Sequence, residues 1–181
     1  MNKTAIRKFA EWAREELIDD IKYKAGTVGI TENGIAEKLP QSTSDTYFYD
    51  VGTKDYTKIS GVEIKQRDAL VKAIQTKERS YKNYQEAFEN VIEEVAYTWF
   101  NRLIAIRFME VNDYLPSGVR VLSSENKAKK EPDLVTTPFD TDLEFTSYEQ
   151  DRIIQLKDDN KLDELFRMLF IKQCNKLHDI L

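Results

Sequence analysis

One cysteine and one histidine are all that 181 residues provide of either type. The lone Cys174 excludes an internal disulfide framework, and its place in a helical apolar pattern reads as a packed thiol in a reducing cytoplasm. The same scarcity leaves a zinc site without ligands, so any metal would have to be held mostly by carboxylates. Glycine is also sparse, at six residues, and no two form the G-x-G pair that a phosphate-cradling turn between strand and helix requires. Gly29 and Gly34 have the spacing of a P-loop, but Ile35 and Ala36 stand where lysine and a hydroxyl should follow. There is no long uninterrupted hydrophobic run. The most apolar stretch, Val95 to Val111, contains Asn101, Arg102, Arg107 and Glu110, which a bilayer core penalises, so it reads as a core helix. The first nine residues carry Lys3, Arg7 and Lys8 without an apolar h-region, so no secretory signal is expected there.

What is present is a composition able to fold: 41% apolar residues and 33% charged ones, with a net charge of -5. The length suits a single domain spanning 1–181, and the acidic balance argues against coating nucleic acid by bulk charge while allowing a local basic patch. Ile6, Phe9, Ala13, Leu17 and Ile21 recur at helical spacing, which predicts a first helix over 3–25 with Gly26 as its stop. Glycines, Pro40 and the polar run Gln41 to Asp45 break the pattern from 27 to 61, with a small β-hairpin expected near 46–59. Helical spacing returns from Val62 to Ile74. It then runs from Tyr84 to Val111 as a long central helix expected to bury Trp99, Leu103 and Ile106. Pro116 and Gly118 turn the chain, an irregular crossing follows over 123–146, and two helices close it at about 147–158 and 161–180. The fold class is therefore mainly α. The last helix stops in the middle of its apolar pattern with no glycine cap. That pattern predicts an exposed strip around Phe170, Cys174, Leu177 and Leu181, and a chain that is the front of a longer polypeptide.

The search for chemistry returns fragments. Cys174 and His178 stand four apart on a helix, as a thiolate and base would, but no third group orients them, so a packed thiol and a terminal-turn histidine is the better reading. Glu63-Ile64-Lys65 has the acid-x-lysine pattern of metal-dependent nucleases, with Asp45, Asp50 or Asp55 as candidate further acids. That element belongs on a strand, whereas Glu63 to Gln75 reads as a helix, so a nuclease stays a minor alternative. Trp99 and Phe100 could stack on bases but sit in an apolar helix. Arg107 in that helix needs an acceptor, and Glu110, one turn on, is the local candidate. From 131 to 164, eleven acids face three basic residues, a solvated face or, in the competing reading, the surface of a stand-alone acidic interaction module that meets a basic partner. Arg120, Lys127, Lys129 and Lys130 form the best local basic cluster for gripping a DNA backbone.

The run Glu93-Glu94-Val95-Ala96-Tyr97-Thr98-Trp99-Phe100-Asn101-Arg102-Leu103-Ile104-Ala105-Ile106-Arg107-Phe108-Met109-Glu110-Val111-Asn112 closely resembles the amino-terminal region of PglX-type adenine-specific DNA methyltransferases of BREX phage-defence systems. Asp113 to Pro116, Val119 to Ser124, Lys3 to Leu17 and Phe170 to Leu181 extend the resemblance to both ends of the chain. It implies a large cytoplasmic enzyme that transfers the methyl group of S-adenosylmethionine to the exocyclic nitrogen of adenine. It also implies that the partners are the rest of that polypeptide, duplex DNA and other BREX components, and that no membrane is involved. The family's phenylalanine-x-glycine-x-glycine cofactor loop has no counterpart here. Its asparagine-proline-proline-aromatic catalytic motif is missing too, since the prolines follow Leu39, Leu115, Glu131 and Thr137. No catalytic, cofactor-binding or metal residue is therefore assigned. The expectation is a non-catalytic accessory region that supports a catalytic domain, DNA or partner binding.

Overall fold

A computed structural model describes residues 3–177 of the chain. Six α-helices carry most of them: α1 (Lys3–Thr27), α2 (Val62–Glu78), α3 (Tyr84–Val111), α4 (Asp133–Thr136), α5 (Ser147–Asp158) and α6 (Leu162–Lys176). Four short strands make two separate antiparallel pairs, β1 (Ile30–Thr31) with β2 (Gly34–Ile35), and β3 (Thr46–Tyr49) with β4 (Thr57–Ser60). The protein is thus mainly α with small hairpins. The expected hairpin is present with Tyr47 opposite Ile59 and Tyr49 opposite Thr57, while the β1–β2 pair is an addition to what the sequence predicted. None of the described helices is long and apolar enough to cross a membrane.

Contacts group the chain into two compact units, 1–100 and 101–181, with the boundary inside α3. The first unit holds α1, both hairpins, α2 and the first part of α3. Its core gathers Ala25, Ile30, Ile74, Ala87, Phe88, Val91 and Ile92, with Ile18, Ile21, Leu70 and Val95 packed around them. Helix α1 does not stop at Gly26 but runs to Thr27, and the left-handed turn is made by Gly29 at φ +74°. A Cβ at Gly29 would lie 2.7 Å from the Ala36 Cβ, so the crossing of these two segments requires glycine there.

In the second unit α6 packs against both α4 and α5. Leu134, Val135, Ile153, Leu156, Leu165, Leu169, Phe170, Cys174 and Leu177 are buried. The exposed strip expected on the last helix is therefore not found at Phe170, Cys174 or Leu177, because two neighbouring helices cover its broad apolar face; Leu181 lies outside the described residues. Helix α3 ends with Asp113 at φ +56° and the Tyr114 N–H donating to the Met109 carbonyl at 2.8 Å, a left-handed cap built without glycine. Helix α5 ends in the same way on Asn160 and begins with a capping box, in which Thr146 and Glu149 each satisfy the other's backbone N–H. Along α3, Ile106 is buried as expected, but Trp99 and Leu103 are only half-buried.

Candidate functional site

The basic cluster lies in the second unit, on the loop between α3 and α4, and the loop's shape begins with a buried carboxylate. Glu110, whose side chain is fully buried, accepts from Arg107 Nη1 at 3.0 Å, from the Leu122 N–H at 3.1 Å and from Ser123 Oγ. Glu110 is thus the acceptor expected for Arg107, but the carboxylate rather than the guanidinium is the buried partner, since the Arg107 side chain is half exposed. A buried acid must be satisfied by donors, and here those donors pin residues 122 and 123 to the helix.

The next residues are held from the other side. Asp133, at the start of α4, accepts from Ser124 Oγ at 2.6 Å and from the Glu125 N–H at 2.8 Å, while the Leu134 N–H donates to the Arg120 carbonyl at 2.9 Å. Asn126 then closes a turn, its Oδ1 accepting from the Ala128 N–H and its carbonyl from the Lys129 N–H. The outcome is an ordered loop that presents Lys127, Lys129 and Lys130 to solvent. Arg120 is half-buried, with its Nε enclosed and without a hydrogen-bond partner. Glu125 and Glu131 flank the lysines, and Lys130 shares a shallow groove of about 320 Å³ with Glu131 and Asp163. Flexible ammonium groups on such a turn can meet phosphate oxygens but have no planar fork with which to read a base edge.

The other sequence candidates are not brought together. Glu63 and Lys65 stand exposed in the first turn of a helix rather than on a strand, and Glu63 accepts weakly from the Ser60 N–H at 3.4 Å. Asp50 is engaged in its own turn, accepting from the Gly52 N–H at 2.9 Å. Among the described residues no three histidine, cysteine or acidic side chains are placed to hold a metal ion. The thiol of Cys174 is buried and pushed up by that burial, opposed by the nearby charge of Arg102; His178 lies outside the described residues. Several acids of 131–164 are engaged within the unit: Asp142 pairs with Lys176 at 2.9 Å, Glu149 with Lys172 at 2.7 Å and Glu164 with Arg152 at 3.1 Å. Trp99 and Phe100 are half-buried.

Two features of the first unit escaped the sequence reading. Arg67 is 7% exposed and donates from Nε to the Val28 carbonyl and from Nη2 to the Ala36 carbonyl, both at 2.8 Å, while its guanidinium covers the ring of the buried Tyr49 at 3.8 Å. Burial pushes the Arg67 pKa down, against the pull of Tyr49 and Asp68, and pushes the Tyr49 phenol up. One arginine therefore ties α2 to the ends of the β1–β2 segment and to β3. Its signal was its place on the stripe Ile64, Leu70, Val71 and Ile74, where a charge interrupts the buried face. The second feature is a groove of about 520 Å³ between α1 and the first part of α3, floored by Ala10, Ile18, Ala96 and Phe100.

No family model matches the chain. It is similar to the adenine-specific methyltransferase PglX of Lacticaseibacillus casei (strain Zhang), at 43% identity over 187 residues covering 100% of this chain. It is also similar to the adenine-specific methyltransferase BrxX of Escherichia coli O9:H4 (strain HS), at 32% identity over 184 residues covering 98% of the chain. The chain spans only 15% and 14% of the lengths of these two relatives.

Proposed function

We propose that this chain, which matches the N-terminal region of PglX-type adenine-specific methyltransferases, is the non-catalytic front of such an enzyme, one that marks host DNA within a BREX phage-defence system. Its role in this reading is to support the catalytic region and to steady the duplex through the loop bearing Lys127, Lys129 and Lys130. The observation that carries the reading is the identity of 43% along the whole chain to a methyltransferase more than six times as long.

Methyl transfer to adenine needs a pocket that aligns the exocyclic amine, a poor nucleophile, with the methyl sulfonium of S-adenosylmethionine. The residues present do not fit that cofactor. The strand-to-helix junction among the described residues, from β4 through Gly61 into α2, has one glycine, and the Glu63 carboxylate faces its Ser60 N–H. Cofactor and catalysis are assigned to the remainder of the polypeptide. What this chain's residues offer DNA is phosphate neutralisation, and a base-flipping enzyme benefits from peripheral grips that hold a distorted duplex.

The test is salt-dependent duplex binding by residues 1–181 beside calorimetry with S-adenosylmethionine. Binding should be weak, indifferent to sequence and salt-sensitive. The triple variant K127E/K129E/K130E should abolish it or lower the magnitude of the salt slope by about 3, close to one for each phosphate that is no longer neutralised. Tight sequence-selective binding, or saturable micromolar binding of the cofactor to this chain, would overturn the assignment.

A further inference from the structure

The first four turns of α1 lack cover. From Lys3 to Glu16 no side chain is buried, and Ile6, Phe9 and Trp12 are 47%, 49% and 56% exposed. The rings of Phe9 and Trp12 lie 5.9 Å apart, so the two form one apolar ledge rather than scattered residues. Beside it opens the groove between α1 and α3, with Tyr97 exposed at its edge. Clustered exposed aromatics of this kind mark interaction surfaces, and an isolated helical arm is marginal in water until its apolar face is covered.

The charges along the groove say what fits it. Glu11 and Glu15 line the groove against Arg14, and Glu16, Asp19 and Asp20 follow along α1. Arg14 is paired with Glu93 at 3.0 Å and Glu11 with Arg7 at 2.8 Å, while Lys3 and Lys8 lie nearer the start of the helix, so the acidic side is the later part of the groove. An apolar helix bearing lysine or arginine beside its apolar face would complement that rim. A source for it exists in the same polypeptide, because the match covers 15% of the PglX relative and the rest of such a chain is tethered to this one at high effective concentration. Resting on the function proposed above, we propose that the ledge of Ile6, Phe9 and Trp12 with the adjoining groove is the seat on which the remainder of the methyltransferase polypeptide docks, through an apolar, basic-flanked helix.

Hydrogen exchange tests this on the intact polypeptide whose reading frame contains these 181 residues, compared with residues 1–181 alone. Amides of residues 5–16 should exchange about 10-fold more slowly in the intact polypeptide. The variant F9E/W12E, at exposed positions that leave the thermal midpoint of the 181-residue chain unchanged, should remove that protection and leave Ile153 to Leu156 as protected as before. Equal exchange over 5–16 in the two proteins overturns the seat, as does a reading frame that ends at Leu181. Protection of the short chain that grows with its concentration and is lost in F9E/W12E would identify a second copy as the occupant and overturn it equally. Methyl transfer to adenine by the intact wild-type polypeptide is measured alongside. Its absence with the protection intact supports the seat while refuting the methyltransferase reading, so the two fail separately.

Discussion

Replacing Glu110 by alanine should loosen the whole basic loop, and the size of the effect follows from what the carboxylate holds. The substitution leaves the Leu122 N–H without its acceptor in a part-buried place, which costs about 1–3 kcal/mol. It also removes one buried methylene, worth about 0.8 kcal/mol. The ion pair with Arg107 adds little, because half of that side chain is in water and the attraction is screened. The total is about 3 kcal/mol, confined to the second unit. Both tryptophans, Trp12 and Trp99, lie in the first unit, so fluorescence would miss the change. Amide exchange of residues 120–125 under increasing urea is the suitable assay. With a urea dependence of about 1–3 kcal/mol per molar, the opening midpoint should fall by about 1–3 M. Glu110→Gln keeps the shape and one acceptor oxygen and should lose about half as much. An alanine variant whose Leu122 amide stays as protected as the wild type's would refute the claim that this carboxylate organises the loop.

Three further outcomes follow from the same geometry. Arg67→Met leaves the Val28 and Ala36 carbonyls without a charged donor and should cost about 2–4 kcal/mol, with Arg67→Lys recovering less than half since one ammonium cannot bridge both; thermal melts followed by tryptophan fluorescence read this, and a lysine variant equal to wild type counts against it. Lys172, and after it the Thr146 N–H, hold the Glu149 carboxyl down at about 2 against an ordinary 4.5. The ion therefore favours the folded state above pH 4.5, and that contribution is lost as pH falls from about 4.5 towards 2; Glu149→Gln, which can still form the capping box, should flatten acid unfolding in that window by circular dichroism, and superimposable titrations would contradict the assignment. Cys174, buried and raised in pKa, should react with a thiol reagent at pH 8 only as fast as the second unit opens, so immediate labelling of the native protein would place it at the surface.

Element positions were legible where one physical signal dominated. The 3.6-residue period of Phe88, Val91, Ile92, Val95 and Ile106 marked α3 almost to the residue, because a long helix repeats its evidence many times. The β1–β2 pair was not legible, since two residues per strand carry no alternation to count. Helix ends were read from glycine and proline, yet Asp113 and Asn160 make the turns after α3 and α5 by tolerating the left-handed region. The Thr146-x-x-Glu149 capping box was readable and was missed. For the site, the lysines could be named from composition alone. Their presentation could not, because Glu110, Asp133 and Asn126 order the loop through hydrogen bonds between residues up to 13 apart in sequence.

The apolar stripes show why periodicity finds faces but cannot tell which are covered. The face of α6 is wider than one stripe, and a sequence reader takes the excess for an unmet partner; the excess is met by two helices, α4 and α5. The stripe of α1 has ordinary width and looks satisfied, yet before Leu17 every described residue is exposed except the small Ala10 and Ala13, which are half-buried. The difference is one of length. At 1.5 Å per residue the 25 residues of α1 extend about 38 Å, and only the part beyond residue 16 lies against the core of Ala25, Ile74, Phe88 and Ile92. A helix longer than the core that holds it must leave some of its apolar face uncovered. In α1 the uncovered turns are those that carry Phe9 and Trp12, where covering the half of an aromatic side chain still in water is worth about 1 kcal/mol to whatever covers it.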